Sequence, residues 1–480
     1  MRVVRRIESR ALLRAALPTT LRGGVPVSLR SVLLVAMALF AFGCSSKRGV
    51  VEPDPTPLPP PLPEGVGVAG NVVSWTTETE SRGSVRYGFG AESLDHMAYP
   101  EARNRGDRAL THAHVVPLLD VSAGQTVYVQ VMNEIPGREA GVSETGAFVA
   151  TKAAPAALLT STMIHIGFGD CHLVTMPNGT QMLVDGGERD AETAVRTYMQ
   201  QHGIASLRAM LATHVHIDHL GSFVGDSFTN DDGMLTFLRP QLFFDSPSKS
   251  FNRDAYFEAV STAAGAGIQR LVVARGQSSE DTPELAFDPN VRVLVLSSGT
   301  PPDYTSSGHD NTDINNDSIV LKFSYGDVDF IIGGDAEQGA EQSMLNAFTP
   351  AELEVEYYKA HHHGLPDASS ATWVSALRPR VCFVPNTQAV WSGDLRAAIA
   401  STTSSVRALG AHVYAIDDAE SLDRPRGSGI QYNVTFATDG RSYEVRLEQA
   451  TQPTPRKAAQ LSACMLEART SRVPDEVDQP

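Results

Sequence analysis

Nine residues, Ala212-Thr213-His214-Val215-His216-Ile217-Asp218-His219-Leu220, pack three imidazoles and a carboxylate into six positions, directly after the apolar run Met210-Leu211-Ala212. The cluster constrains the fold because it reads as a strand that ends in a ligand-bearing loop. Three neighbouring histidines would repel one another once protonated, whereas neutral imidazoles and a carboxylate together suit Zn²⁺ at roughly 2.0–2.2 Å. His214 and His216 alternate with Asp218 and His219, so the spacing can serve two ions. The competing reading is a solvated polar loop.

The chain is long enough for two or three domains at 480 residues, with an apolar share of 42%. Residues 1–30 carry seven arginines against one acid, Val32 to Phe42 are almost wholly apolar, and Ala41-Phe42-Gly43-Cys44-Ser45-Ser46 closes the segment. This resembles a bacterial lipoprotein signal. It implies a lipid on Cys44, loss of residues 1–44 as signal peptide, and attachment to a bacterial membrane facing the periplasm or the cell surface. A signal-anchor helix is the competing reading, although the apolar core is short for a span. Removing residues 1–44 takes away seven basic and one acidic side chain, so the formal net charge moves from −16 to −22. Such an acidic body opposes a general polyanion-binding surface and leaves nucleic acid as a substrate only. The remaining cysteines, Cys171, Cys382 and Cys464, are odd in number and form no disulfide framework. Cys171 and Cys382 read as buried thiols, with a bridge between them as the alternative.

Residues 45–66 hold the proline run Glu52 to Pro63 and read as a polyproline tether. From 67 to 152 the period-two runs around Trp75, Val85-Arg86-Tyr87, Val115-Val116 and Val127-Tyr128-Val129 predict a small all-β sandwich, one that resembles a fibronectin type III module. His112 and His114 in that stretch read as ordinary sandwich residues. A linker at 153–157 leads to 158–450, where strands alternate with helices at Glu192 to Gln201 and Asp254 to Ala264. Residues 451–480 read as a disordered tail.

The ordered motifs Ile164-His165-Ile166-Gly167-Phe168-Gly169-Asp170, Leu183-Val184-Asp185-Gly186-Gly187, Thr213 to Gly221, Asn315-Asn316-Asp317-Ser318, Ile332-Gly333-Gly334-Asp335 and Lys359-Ala360-His361-His362-His363-Gly364 resemble metallo-β-lactamase-fold hydrolases. Among these they are most similar to the domain of that type in competence DNA-uptake proteins. The resemblance implies an α/β fold, a four-layer αβ/βα sandwich. By it, His214 and His216 bind a first zinc, Asp218 and His219 a second, and Asp335 bridges the two. The ligand role in His-His-Gly goes to His362 first, with His363 as a supporting donor or substrate contact. His309 is either a further ligand or a loop residue. Asn315, Asn316 and Ser318 either contact substrate or form a capping turn. Asp218 orients the nucleophile as well as ligating. The expected activity is zinc-dependent hydrolysis of a phosphodiester by a metal-bound hydroxide, on nucleic acid or a phosphorylated envelope component. The alternatives are an ester, lactone or β-lactam hydrolase, and a non-catalytic surface lipoprotein with a structural metal.

Overall fold

Period-two burial runs through the N-terminal strands. In β2 (Val72–Gly88), Val73 and Trp75 are buried while Ser74 and Thr76 are exposed. The computed structural model describes residues 60, 62–155, 157–167, 169–224, 232–245, 254–299, 314–385, 404–415 and 432–450. The signal segment with Cys44, His309 and the tail 451–480 lie outside the described residues.

Around β2 lie β1 (Glu64–Ala69), β3 (His96–Ala98), β4 (Thr111–Pro117), β5 (Thr126–Glu134), β6 (Gly141–Val142) and β7 (Gly146–Val149). The first half of β2 pairs with β1 and β4, the second half with β3 and β5, so a single strand serves two sets of partners. Val73, Trp75, Val85, Tyr87, Val116 and Val129 form their shared core. Trp75 Nε1 donates to Asn133 Oδ1 at 2.6 Å and the indole stacks on His114. Position 83 must be glycine, because a Cβ there would meet both rings at 2.5–2.7 Å. Burial lowers His114 to about 4, which makes it a neutral core residue, while His112 is exposed.

Beyond residue 158 come β8 (Leu159–Met163), β9 (His172–Thr175), β10 (Gln181–Val184), β11 (Ala209–Leu211), β12 (Leu242–Asp245) and β13 (Gln269–Val272). A six-stranded sheet follows, β14 (Val291–Ser297), β15 (Val320–Tyr325), β16 (Val328–Gly333), β17 (Tyr357–Lys359), β18 (Val381–Val384) and β19 (His412–Ala415), in that order. The chain then returns through β20 (Tyr432–Thr438) and β21 (Tyr443–Gln449) to the first sheet, whose order is β13-β12-β11-β10-β9-β8-β20-β21-β3-β2-β5-β6. Arg446 pairs with His96 and Glu444 with Ala98, so the N-terminal strands continue the same sheet, and the described residues form one compact unit.

This is a mixed α/β protein with two large sheets. Alternate residues divide its interior, as pleating requires. Val174, Met182, Val184, Leu211 and Phe244 of the first sheet share a core with Leu321, Phe323, Phe330 and Phe383 of the second. Their strand neighbours Leu173, Leu183, Met210 and Phe243 pack instead with Val195, Met199, Leu235 and Leu238 of helices Glu192–Gln201 and Gly233–Leu238. On the second sheet, Val320, Ile331, Tyr358 and Cys382 pack with Met344, Leu353 and Trp373 of helices Gln338–Ala347, Pro350–Leu353 and Ala371–Leu377. Cys171 and Cys382 are free and buried. Among the described residues, no helix is long and apolar enough to cross a membrane.

Candidate metal centre

Four chain segments leave the C-terminal ends of β10, β11, β16 and β17 and meet at one edge. β10 and β11 run parallel, as do β16 and β17, so in each pair the loops emerge on the same side, where open α/β sheets carry their sites. Asp185, just past β10, holds left-handed backbone at φ 57°. Its Oδ1 accepts from Thr213 N at 2.8 Å, and its Oδ2 from Thr213 Oγ1 at 2.7 Å, so it clamps the start of the histidine loop. Gly334 lets the loop after β16 come equally close, since a Cβ there would run into the Thr213 side chain.

Two donor sets meet on Asp335. His214 Nε2 lies 2.9 Å from His216 Nδ1 and 3.9 Å from Asp335 Oδ2. On the other side, Asp335 Oδ2 lies 3.1 Å from His219 Nε2 and 3.4 Å from His363 Nε2, and Asp218 Oδ2 lies 3.2 Å from His363 Nε2 and 3.8 Å from His219 Nε2. Ligand atoms around one tetrahedral zinc sit roughly 3.3 Å apart for bonds near 2.0–2.1 Å. The second set matches that spacing before any ion is introduced. Both His219 Nε2 and Asp335 Oδ1 are buried without a hydrogen bond, which is what unfilled ligand positions look like. The donors therefore fit divalent metal, and Asp335 belongs to both sets.

The electrostatics agree. Burial and the neighbouring His219 and His216 hold His214 well below the ordinary histidine range, as a neutral ligand requires. Burial opposes protonation of His219 and His363 too, but Asp335 with Asp185 and Asp218 raises the first well above that range, and Asp335 with Asp170 raises the second. Without another cation, the carboxylates draw protons onto these rings. Asp335 and Asp218 are held low against burial, chiefly by His219 and, for each, His363. His214, His219, His363 and Asp335 are almost fully enclosed, whereas Asp218 and His362 retain some exposure and mark the open side.

The sequence reading gives the ligand role to His362 first; the structure places His362 and His363 differently around Asp335. His363 joins the donor set, while His362 Nδ1 turns to Asp367 Oδ1 at 2.8 Å and its Nε2 stays 3.8 Å from Asp335 Oδ2. The cause is a tight turn in which both residues take left-handed backbone, at φ 46° and 51°, sending adjacent side chains in different directions. His361 is buried, with Nδ1 3.1 Å from Glu341 Oε1 and its ring stacked on Trp373.

Asn315, Asn316 and Ser318 do not line an open surface. Asn315 Nδ2 donates to Glu337 Oε1 at 2.9 Å, and Asn316 Oδ1 accepts from Ala340 N at 2.9 Å, tying the turn to helix Gln338–Ala347. Ser318 Oγ accepts from Asp335 N at 2.9 Å and lies 3.4 Å from His214 Nδ1, so it aims two donors. Sequence reasoning assigned no role to Asp185 or Asp170, the carboxylates behind His219. Their strand-end motifs were visible, but not the ring nitrogens they face.

No family model matches this chain. It is similar to ComE operon protein 3 of Bacillus subtilis (strain 168), 24% identical over 239 residues, which cover 46% of this chain and 27% of that protein. The chain thus spans well under two thirds of that relative's length. The structure of purple acid phosphatase PPD1 from yellow lupin (Lupinus luteus) seeds is 9% identical, covering 82% of this chain and 72% of that one. Its TM-score is 0.23, a value from which no argument about fold or activity follows.

Proposed function

We propose that the chain is a metal-dependent hydrolase of phosphodiesters, with a four-layer αβ/βα domain of the metallo-β-lactamase type at 158–450 behind a fibronectin-like sandwich at 67–152. One observation carries the reading: a single carboxylate, Asp335, lies between a His214–His216 set and an Asp218–His219–His363 set. A carboxylate has two oxygens and can bridge, and nitrogen-rich donors favour two zinc ions. The three buried cores, one between sheets and one outside each, support the layer order.

Bound divalent ions there supply Lewis acidity, lowering the pKa of water and bearing charge that develops on phosphoryl oxygens. The protein's residues do the rest. Asp185 faces His219 Nδ1 at 2.8 Å, so with an ion bound the proton would stay on Nδ1 and Nε2 would be free to ligate. His214 stays neutral. Asp218, on the open side, has a second oxygen that can orient an attacking water and take its proton. An acidic chain at −16 favours a small diester over tight hold on a long polyanion, so nucleic acid enters as substrate only. Attachment to a membrane through a lipid on Cys44 belongs to the same reading.

Purified protein loaded with zinc is expected to hydrolyse bis(p-nitrophenyl) phosphate, and Asp335→Ala to lose both turnover and bound metal by mass spectrometry. Faster turnover of nitrocefin or a lactone would move the assignment to those substrates. No cleavage of the diester or of single-stranded DNA, with metal content unchanged in Asp335→Ala, would sink it.

A further inference from the structure

Behind the two donor sets sits a buried ion pair. Lys359, the last residue of β17, is 0% exposed and Asp170 is 1% exposed. The Lys359 ammonium contacts Asp170 Oδ2 and donates to the carbonyl of Gly334 at 2.9 Å, one residue before Asp335. Asp170 in turn faces the back of two rings: Oδ1 lies 3.1 Å from His363 Nδ1, and Oδ2 lies 3.8 Å from His219 Nδ1. Each ring has a further acceptor of its own, Pro385 O at 3.3 Å for His363 and Asp185 Oδ2 at 2.8 Å for His219. Asp170 is common to both. With an ion bound, acceptors behind Nδ1 would keep the proton there and leave the Nε2 lone pair free for the metal that Asp218 and Asp335 would share.

The other set is backed differently. Among the described residues His214 Nδ1 faces two hydroxyls, Thr213 Oγ1 at 3.2 Å and Ser318 Oγ at 3.4 Å, and no carboxylate. Asp170, Asp185 and His219 could themselves gather around a cation, but His219 Nδ1 already faces Asp185 and the Lys359 ammonium already sits on Asp170. That place is filled by the chain.

We infer that Lys359 and Asp170 are a positioning pair for the second ion alone: Asp170 orients the His363 ring and places its charge behind His219, which Asp185 orients, and Lys359 ties that carboxylate to the turn presenting Asp335. The inference rests on the metal reading above. Its test is a competitive zinc titration of the full chain against a chromophoric chelator, with ions per chain counted by mass spectrometry. Asp170→Asn, and the double variant Asp170→Asn with Lys359→Met that leaves no unpaired buried charge, are compared with wild type. The second ion's affinity is expected to fall 10–100-fold in both, the first to move less than threefold, and the cobalt-substituted spectrum to keep only the first ion's bands. Unchanged affinity for the second ion in either folded variant overturns the inference, as does equal loss of both ions. Collapse of the fold in both variants, read by circular dichroism, also overturns it, by assigning the pair to general stability. A wild type that binds no zinc defeats the metal reading instead, which keeps the two failures apart.

Discussion

His363 and His362 are neighbours with opposite expected consequences. His363 Nε2 stands within 3.4 Å of two carboxylates, whereas His362 is tied to Asp367 on the open side. His363→Ala is therefore expected to lose one bound ion and at least 10²-fold in turnover, while His362→Ala keeps its metal content; mass spectrometry of both variants checks this. The cluster from His214 to His219 was legible because its donors fall within six residues, whereas Asp335 was marked only by the resemblance to metallo-β-lactamase-fold hydrolases, Gly-Gly-Asp reading equally well as a turn. Which histidine of three would join them was not legible. That choice depends on two left-handed residues, and only sterics in the folded turn decide which ring swings inward. The inward bonding of Asn316 and Ser318 was equally hidden, since an Asn-rich turn looks the same facing solvent or facing a helix.

At the scale of elements, the short strand β3 ties the N-terminal strands to β21. His96 within it contacts Asp95 at 2.8 Å and Asp120 at 3.0 Å, with Glu444, Arg446 and Tyr87 close by. Burial opposes its charge, but the bonds to Asp120 and Asp95 and the charge of Glu444 raise it to about 9. A raised folded value means that the stabilisation is complete below about pH 6.5 and is lost as pH climbs through about 9. The loss should be about 3 kcal/mol at most, seen as a falling urea midpoint between pH 6.5 and 9.5. His96→Gln should flatten that slope, and a slope unchanged by the substitution would refute the assignment. A second tie is made by Arg108, whose Nη1 donates to Glu354 Oε1 at 2.5 Å and Nη2 to Glu356 Oε1 at 3.1 Å. Arg108→Met removes one of two guanidinium partners of Glu356, Arg105 Nη1 remaining at 2.5 Å, and should cost roughly 1–3 kcal/mol in equilibrium unfolding. Strands with long alternation and helix Glu192–Gln201 could be read from sequence. β3 and β17, at three residues each, are too short to show a period and exist because of what they pair with.

Taken whole, the described residues show no seam where the N-terminal strands meet the rest. Met97, Tyr99, Ala102 and Met132 belong to the core that also holds Phe330, Phe436 and Tyr443. A chain lacking 62–152 should therefore lose on the order of 5 kcal/mol or more and associate through the bared edge of β21. Light scattering and thermal unfolding test this, and a monomer with an unchanged melting temperature would contradict it. The same continuity has a consequence in time. β20 and β21, the last strands made, lie in the middle of the first sheet, and Tyr87 and Glu444, 357 residues apart in sequence, share a buried hydrogen bond. If the chain folds from its N-terminus onward, β8 and β3 each wait with an unsatisfied edge for a partner that arrives late. Contacts of such high order make folding slow and expose the unfolded chain to wrong pairings, so β20 and β21, spanning 432–449, act as the keystone whose arrival sets the pace.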